Sequence, residues 1–509
     1  MSARTASSQR TTLLAASLAL FLVFLDNTIV NVALPTIQRK LTASPDALEW
    51  TASAYVVAFA ALILFGGALG DRYGHKRMFL LGLLTFGGGS VAAALARSSG
   101  ALVAGRAVQG VGAALLAPLS LALLAHAFPR EQLPKAIGVW AGVSGLGLAI
   151  GPLLGGLLVE HVGWQAIFWI NAPIVALAIS VTAVGVASER RIRVASLDMS
   201  GATLATAGLA LLVAGLIRTT AHSWSNAWTV LLVTTGVVTL GAFLLRERLA
   251  RSPLLPLSLL RDREFAGASA VLALAMFALF GTLWFVTLYL QSVRGYTAIA
   301  AGARTLPLTL MTLLIAPIAG KRMPHVGARR LAATGFFVAA AGLVVGTRLT
   351  PSSSYLLLAA ALVLLGTGLA LALPVAAAVA VSRTEPERLG TAAGIAAGAR
   401  QLGGAIGLAV LAPLGAHLAA SRFGGDATPQ LLQLVKGGRV AAVGALAGPH
   451  GQATAAAAFT GGMSRALWIG AGALAAAAIV SVRTLAGAEN AAHALAPKPP
   501  LRELEEATR

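Results

Sequence analysis

The sequence predicts an all-helical integral membrane protein with fourteen membrane-crossing helices, and three observations carry that expectation. Of 509 residues, 57% are hydrophobic and only 11% are charged, whereas soluble domains carry about 25% charge. Mostly apolar runs of about 20 residues, long enough to cross roughly 30 Å of hydrocarbon, recur fourteen times without a polar domain between them. Glycine stands at 56 residues and cysteine at none. Glycine suits helices packing closely in lipid, and the lack of thiols excludes a disulfide framework or a thiolate site.

The spans follow in order. The first, 12–34, is preceded by Arg4 and Arg10; its length and the thirteen runs after it mark an uncleaved anchor rather than a signal peptide. Runs 48–69, 78–96, 101–125, 135–159 and 165–187 complete a first group of six. Runs 198–217 and 227–245 stand before the segment 246–264, whose Pro253, Pro256 and five arginines read as a linker. Runs 265–290, 299–320, 329–347, 353–381, 389–413 and 465–485 form a second group of six. A Gly- and Ala-rich stretch, 414–464, is expected as a long external loop holding at most a short amphipathic turn or two. Residues 1–11 and 486–509 are expected as tails. Only helices satisfy every backbone group of such a chain in lipid.

The basic residues set the orientation. Taking the N-terminus as cytoplasmic, 25 Lys and Arg fall on the cytoplasmic side and 10 on the other, which places both termini inside a bacterial-type plasma membrane. The net charge of +20 is spread in short clusters between spans. That distribution argues against nucleic acid as a partner.

An internal echo links two loops. Gly74-x-Lys76-Arg77 after the second span matches Gly327-x-Arg329-Arg330 after the tenth, with Pro324 standing where Asp71 does. Spans 1–6 then pair with 9–14, and 7–8 are inserted. Two repeated six-helix halves suit a transporter that binds its substrate near mid-membrane.

Asp26 is the one acidic residue well inside an expected span, and such groups are functional hypotheses by default. Desolvation disfavours a charged carboxylate, so Asp26 is a candidate proton carrier; the plainer reading is a carboxylate locked to an arginine. Asn27 and Asn31 share one helix face beside it. Arg106, Gln109 and Gly110 share a face of span 4, where Arg106 can modulate Asp26 but not carry the proton. In span 5, Gly147, Gly151 and Gly155 form a smooth stripe, with Pro152 and Gly156 beside it; packing is the simplest use of such a stripe. Arg400, Gln401, Arg304, Trp284 and Tyr289 are candidates for a substrate cavity, although Arg304 lies near its span end and can snorkel. No phosphate-binding Gly-Lys-Ser/Thr loop and no His-Glu-x-x-His spacing occurs. ATP drive, a metal site and enzymatic chemistry are therefore not expected.

These residues together resemble the major facilitator superfamily, and within it the fourteen-span drug–proton antiporters, over roughly residues 12–485. Gly67-x-Leu69-x-Asp71-Arg72-x-Gly74-x-Lys76 resembles the superfamily loop that acts as a conformational lock. Arg106-x-x-Gln109-Gly110 resembles the span 4 motif linked to proton transfer. Gly147-x-x-x-Gly151-Pro152-x-x-Gly155-Gly156 is similar to the antiporter motif, and Leu25-Asp26-x-Thr28 to that of the fourteen-span exporters. Two departures stand out: Trp164-Gln165-Ala166 lacks the usual arginine, and His75 and Pro324 replace charged residues. The resemblance implies a major facilitator fold of two six-helix halves plus two extra helices. It implies proton-driven efflux of small amphiphilic drugs or antibiotics by a monomer in the bilayer, with no cofactor beyond the proton gradient. One titrating carboxylate points to neutral or monocationic substrates rather than dications. An exporter dedicated to one endogenous solute is the alternative, and a non-transporting sensor or scaffold a remote one.

Overall fold

The computed structural model describes residues 3–187, 198–222, 224, 226–250, 253–382, 384–423 and 428–485, and among them every regular element is helical. The first group comprises α1 (Ala3–Leu41), α2 (Pro45–Tyr73), α3 (His75–Ala94), α4 (Ser99–Ala127), α5 (Leu133–His161), α6 (Ala166–Trp169) and α7 (Asn171–Gly185). Then come α8 (Met199–His222), α9 (Ala227–Leu249) and the short α10 (Leu257–Arg261). The last group is α11 (Arg263–Leu288) with a π-turn at Tyr289–Val293, α12 (Ala298–Val326), α13 (Ala328–Gly346), α14 (Tyr355–Ser382), α15 (Leu389–Phe423), α16 (Pro429–Lys436) and α17 (Val440–Thr484). Fourteen helical segments are long and apolar enough to cross a membrane, with α6 and α7 together making one of them. The chain is a multi-pass membrane protein.

Local chemistry starts several helices. Ser44, Ser98 and Thr297 cap α2, α4 and α12 by accepting from Ala47, Ala101 and Ala300, while Asn226 and Asp262 cap α9 and α11. Such caps satisfy amides that a helix start leaves without partners.

Two expected boundaries differ. The segment 414–464 is mostly helix rather than loop: α15 continues to Phe423, α16 follows, and α17 begins at Val440 with a break at Gly448, φ 71°. Alanine favours helix, and Val435, Val440, Val443, Ala455 and Ala456 bury themselves with Ala419 in one small core. The linker also starts later, since Arg246 and Glu247 lie in the last turn of α9. The expected tail 486–509 and residues 188–197 lie outside the described residues.

The two halves repeat one local device. Gly74 (φ 96°) joins α2 to α3 and Gly327 (φ 86°) joins α12 to α13, a backbone region that favours glycine. Two residues on, Lys76 Nζ donates to the carbonyls of Ala183 (2.9 Å) and Val186 (2.7 Å) at the end of α7. Likewise Arg329 Nε donates to the Leu485 carbonyl, 3.0 Å, at the end of α17. In each half the loop cation neutralises the negative end of the sixth span. This face also holds the Thr11 region of α1 and is called the terminal face below.

The halves meet along two seams. Helices α5 and α12 stay together along their length, from Gly320 against Pro134 at the terminal face to Gly302 against Pro152 and Gly156 against Ile299 toward the far face. Helix α15 meets α2 at Gly390, Gly394 and Gly398, but its Gly403 and Gly407 turn instead to Ala273 and Phe277 of α11. The inserted α8 and α9 pack on each other, and α8 lies against α2 and α15. The α2–α15 seam is thus shut at the terminal face.

Candidate functional site

The pattern that put Asp26 alone among apolar residues now has a partner. Arg106 Nη1 donates to Asp26 Oδ2, and both side chains are almost wholly buried, at 1% and 0% exposure. Asp26 Oδ1 accepts from Gln109 Nε2 (2.8 Å) and from Asn171 Nδ2 (3.1 Å). Both amides also donate to Ser90 Oγ, at 2.8 and 3.2 Å, and Ser90 donates in turn to the Phe86 carbonyl at 3.0 Å. Four helices, α1, α3, α4 and α7, therefore converge on one carboxylate.

Helix α2 joins through Arg106. Its Nε donates to the Thr51 carbonyl at 3.2 Å, its Nη1 also reaches Gln109 Oε1 at 2.8 Å, and its carbon stands 4.6 Å from the Tyr55 ring centroid. The Tyr55 hydroxyl donates to the Val23 carbonyl at 3.0 Å, back on α1. A buried charge pair survives only when its remaining bonding capacity is met, and this shell meets it. One atom is left over: Asn171 Oδ1 is buried and lacks a hydrogen-bond partner among the described residues.

The glycine motif of α5 builds the wall behind this centre. A side chain at Gly147 would strike the Phe21 carbonyl, one at Gly151 would strike Thr28, and one at Gly155 would strike Ile29. Gly156 and Pro152 face α12 instead. One helix thereby grips α1 on one side and the other half on its second side.

The second station lies at the terminal face. Asp71 Oδ1 accepts from the Gly390 amide at 2.7 Å, and Oδ2 from the Thr391 amide and hydroxyl, each at 2.7 Å. A carboxylate of one half thus caps α15 of the other, the arrangement a helix N-terminus favours. His75 Nε2 lies 3.0 Å from Asp71 Oδ1, and its ring packs on His126 with centroids 4.9 Å apart. Gly67 permits the approach, because its Cβ position would stand 2.2 Å from the Gly390 carbonyl oxygen. Arg72 lies over the Tyr73 ring and Lys76 caps α7. Pro324 occupies the Asp71 position in the second half, where a carboxylate clamp of this kind cannot form, and Gly320 meets the Pro134 backbone instead.

The cavity candidates divide. Arg400 and Gln401 are half-buried on α15, and the Arg400 guanidinium lies 5.9 Å from the Phe24 ring of α1. Asn27 is half-buried and Asn31 exposed on that side of α1. Arg304 and Tyr289 belong elsewhere. Arg304 stacks on Tyr296 at 3.7 Å near the start of α12, and the Tyr289 hydroxyl donates to the Thr350 carbonyl at 2.9 Å. Both lie toward the far face, where aromatic rings and loop carbonyls satisfy them, and not across from Phe24. Trp284 stands edge-on to Phe285 within α11, centroids 4.8 Å apart.

Sequence reasoning passed over Ser90, Thr391 and the bonding role of Asn171. It also passed over a carboxylate pair beside the inserted helices. Glu247 is 3% exposed and accepts from the Leu255 amide, and its Oε1 and Asp198 Oδ2 are buried without partners among the described residues, both close to Gly201. Burial, the largest single influence on Asp198, opposes its charge, yet bonds from the Gly201 amide and Ser200, with Arg246 nearby, hold its carboxyl below the ordinary value.

Comparison with known proteins agrees with this architecture. The family model described as Major Facilitator Superfamily matches residues 16–408. The Tetracenomycin C resistance and export protein of Streptomyces glaucescens is 38% identical over 405 residues, 79% of this chain and 75% of that one. The Multidrug resistance protein Stp of Mycobacterium tuberculosis is 37% identical with the same coverage. The Cephamycin export protein CmcT of Amycolatopsis lactamdurans is 38% identical over 80% of this chain and 85% of that one. Among solved structures, the proton:xylose symporter XylE superposes with a TM-score of 0.62 at 14% identity, covering 95% of this chain and 97% of that one. That likeness shows the fold. With its two six-helix halves, its inserted pair and these relatives, the chain belongs to the major facilitator superfamily of transporters.

Proposed function

We propose that this chain is a proton-coupled efflux transporter that exports amphiphilic drugs or antibiotics by alternating access. Its setting is a bacterial-type plasma membrane, with both termini cytoplasmic, so the terminal face is the cytoplasmic one. It works as a monomer and draws on the proton gradient rather than on ATP or a cofactor. The observation that carries this reading is Asp26, a fully buried carboxylate whose three donors come from two other helices, α4 and α7.

The geometry suggests how a proton would act. A charged Asp26 uses Arg106, Gln109 and Asn171 as donors, which holds α1, α4 and α7 together. Protonation removes the attraction for Arg106 and creates an O–H that needs an acceptor. Asn171 Oδ1 is vacant, and rotation of that amide offers it. Arg106 then keeps its hold on the Thr51 carbonyl and the Tyr55 ring of α2. Helix α2 carries Asp71 at its other end, so release at Asp26 reaches the clamp on α15 through one rigid helix. Each pH unit supplies about 1.4 kcal/mol per proton.

The names of the relatives support export of antibiotics, and two of them name single compounds. They equally support a dedicated exporter of one endogenous compound, which a narrow resistance spectrum would single out. Inside-out vesicles energised with a pH gradient test the proton role directly. Asp26→Asn should abolish uptake of an amphiphilic dye while the protein remains in the membrane at normal abundance. Undiminished uptake by that variant would remove Asp26 from the mechanism.

A further inference from the structure

Arg304 has no counter-charge but is met by the Ala300 carbonyl and two tyrosine rings; Arg400 has neither a counter-charge nor a carbonyl among the described residues. It sits about three turns into α15, half-buried, and no hydrogen bond or ion pair engages its guanidinium among the described residues. Its recorded neighbour is the Phe24 ring at 5.9 Å, and the face of a benzene ring compensates only part of a desolvated cation. Asp26 cannot serve it. On α1, Asp26 lies about 160° round the helix from Phe24 and is committed to Arg106, Gln109 and Asn171.

What surrounds Arg400 suits a ligand. Phe24, Asn27 and Asn31 fall within an arc of about 60° on α1, and all three retain solvent exposure. Helix α1 packs on α5, α4 and α7, and α15 packs on α11, α17, α2, α4 and α8; α4 touches both, but α1 and α15 do not pack closely on each other. Arg400 and Phe24 thus face one another across the division between the halves. Beside Arg400, a side chain added at Gly398 would meet Ile63 and Leu64 no closer than 3.4 Å, so this stretch is loosely packed.

We propose that Arg400 is an anion-recognising residue, and that the cleft between α1 and α15 selects amphiphiles carrying an acidic group, a carboxylate, sulfonate or acidic phenol, attached to an aromatic body. The guanidinium fork matches the oxygens of such a group, the Phe24 ring meets the aromatic body, and the two asparagine amides meet its remaining polar atoms. An acid neutralises a cation that otherwise stands alone in the membrane, where an unpaired charge is costly. The Asp26–Arg106 pair has no net charge, so the cleft carries one uncompensated positive charge in this conformation. This assignment rests on the exporter reading and narrows its substrate class, which the count of carboxylates alone had steered toward neutral and cationic compounds. A charge consequence follows. Exchange of one inward proton for one outward monoanion moves two charges in the direction a negative interior drives, against one charge for a neutral substrate.

A matched probe pair tests it: 8-anilinonaphthalene-1-sulfonate, an acid, and N-phenyl-1-naphthylamine, the same skeleton without the sulfonate. Binding is read by fluorescence with the intact protein in nanodiscs, against protein-free nanodiscs, and transport is read in energised inside-out vesicles. Arg400→Gln should weaken binding of the sulfonate at least tenfold and leave the amine within twofold, and Arg400→Lys, which keeps the charge but not the fork, should lose less than Arg400→Gln. Unchanged sulfonate binding in Arg400→Gln overturns the proposal. So does an equal loss of both probes, which would make Arg400 structural. Should the wild type transport neither probe under a pH gradient, the exporter reading falls, while the binding comparison still decides whether Arg400 recognises the acid.

Discussion

Removing the Asp71 carboxylate should unlock the terminal face. Asp71→Ala deletes two backbone-amide bonds and one hydroxyl bond to the start of α15, each at 2.7 Å. Bonds to a charged acceptor are worth about 1.5–3 kcal/mol each, but an open state would return water to Asp71. A net loss of about 3 kcal/mol is a reasonable figure for the set, equivalent to about 150-fold in the closed-to-open ratio. A population 99% closed would then fall to roughly 40% closed. The chain has no cysteine, so spin labels at Tyr73→Cys and Glu387→Cys, both exposed and on opposite sides of the seam, report the spacing of α2 and α15. Asp71→Ala should add a second, longer distance. Gly67→Val should do the same by another route, since its Cβ would stand 2.2 Å from the Gly390 carbonyl oxygen and backbone cannot swing aside. Distance distributions unchanged in both folded variants would show that this contact does not hold the closed state.

Two further outcomes concern stability. Gly147→Val places Cβ 2.6 Å from the Phe21 carbonyl oxygen and should cost about 1–3 kcal/mol by overpacking, whereas Gly88→Ala, with nothing within 4 Å, should be neutral or slightly stabilising; equal melting shifts in detergent would refute the α1–α5 reading. Because folding lowers the Asp198 carboxyl, its contribution is present above the unfolded value and fades as pH falls through the lower folded one. Asp198→Asn should therefore destabilise the protein at pH 7, with the gap narrowing as pH falls below the ordinary carboxylate value of 3.8, and a gap that stays constant with pH would show that the charge is not what matters.

The sequence by itself determined the spans, the grouping of helices into two sixes with an inserted pair, and the residues Asp26, Arg106, Gln109 and Asp71 as points of interest. Lipid explains this legibility. A bilayer imposes a one-dimensional rule on length and hydropathy, and a charge that breaks the rule is conspicuous. The limits were set by the same rule. Ser90 and Asn171 are small polar residues that violate nothing locally, so only the convergence of α3 and α7 on Asp26 revealed them. The stretch 414–464 lacked the apolar length of a span, yet it became helix because Ala419, Val435 and Val443 found one another. Arg304 and Arg400 were both cations within apolar runs in the sequence, told apart only by the position of Arg304 near its span end. Packing separated them: Tyr296 and Tyr355 receive Arg304, and Arg400 meets, among the described residues, a phenyl ring across the gap between halves. Asp71 and Gly390 lie 319 residues apart, and no local pattern encodes that pairing. It exists because two seams of small residues let the halves close at one face, and that closure is a property of the tertiary structure alone.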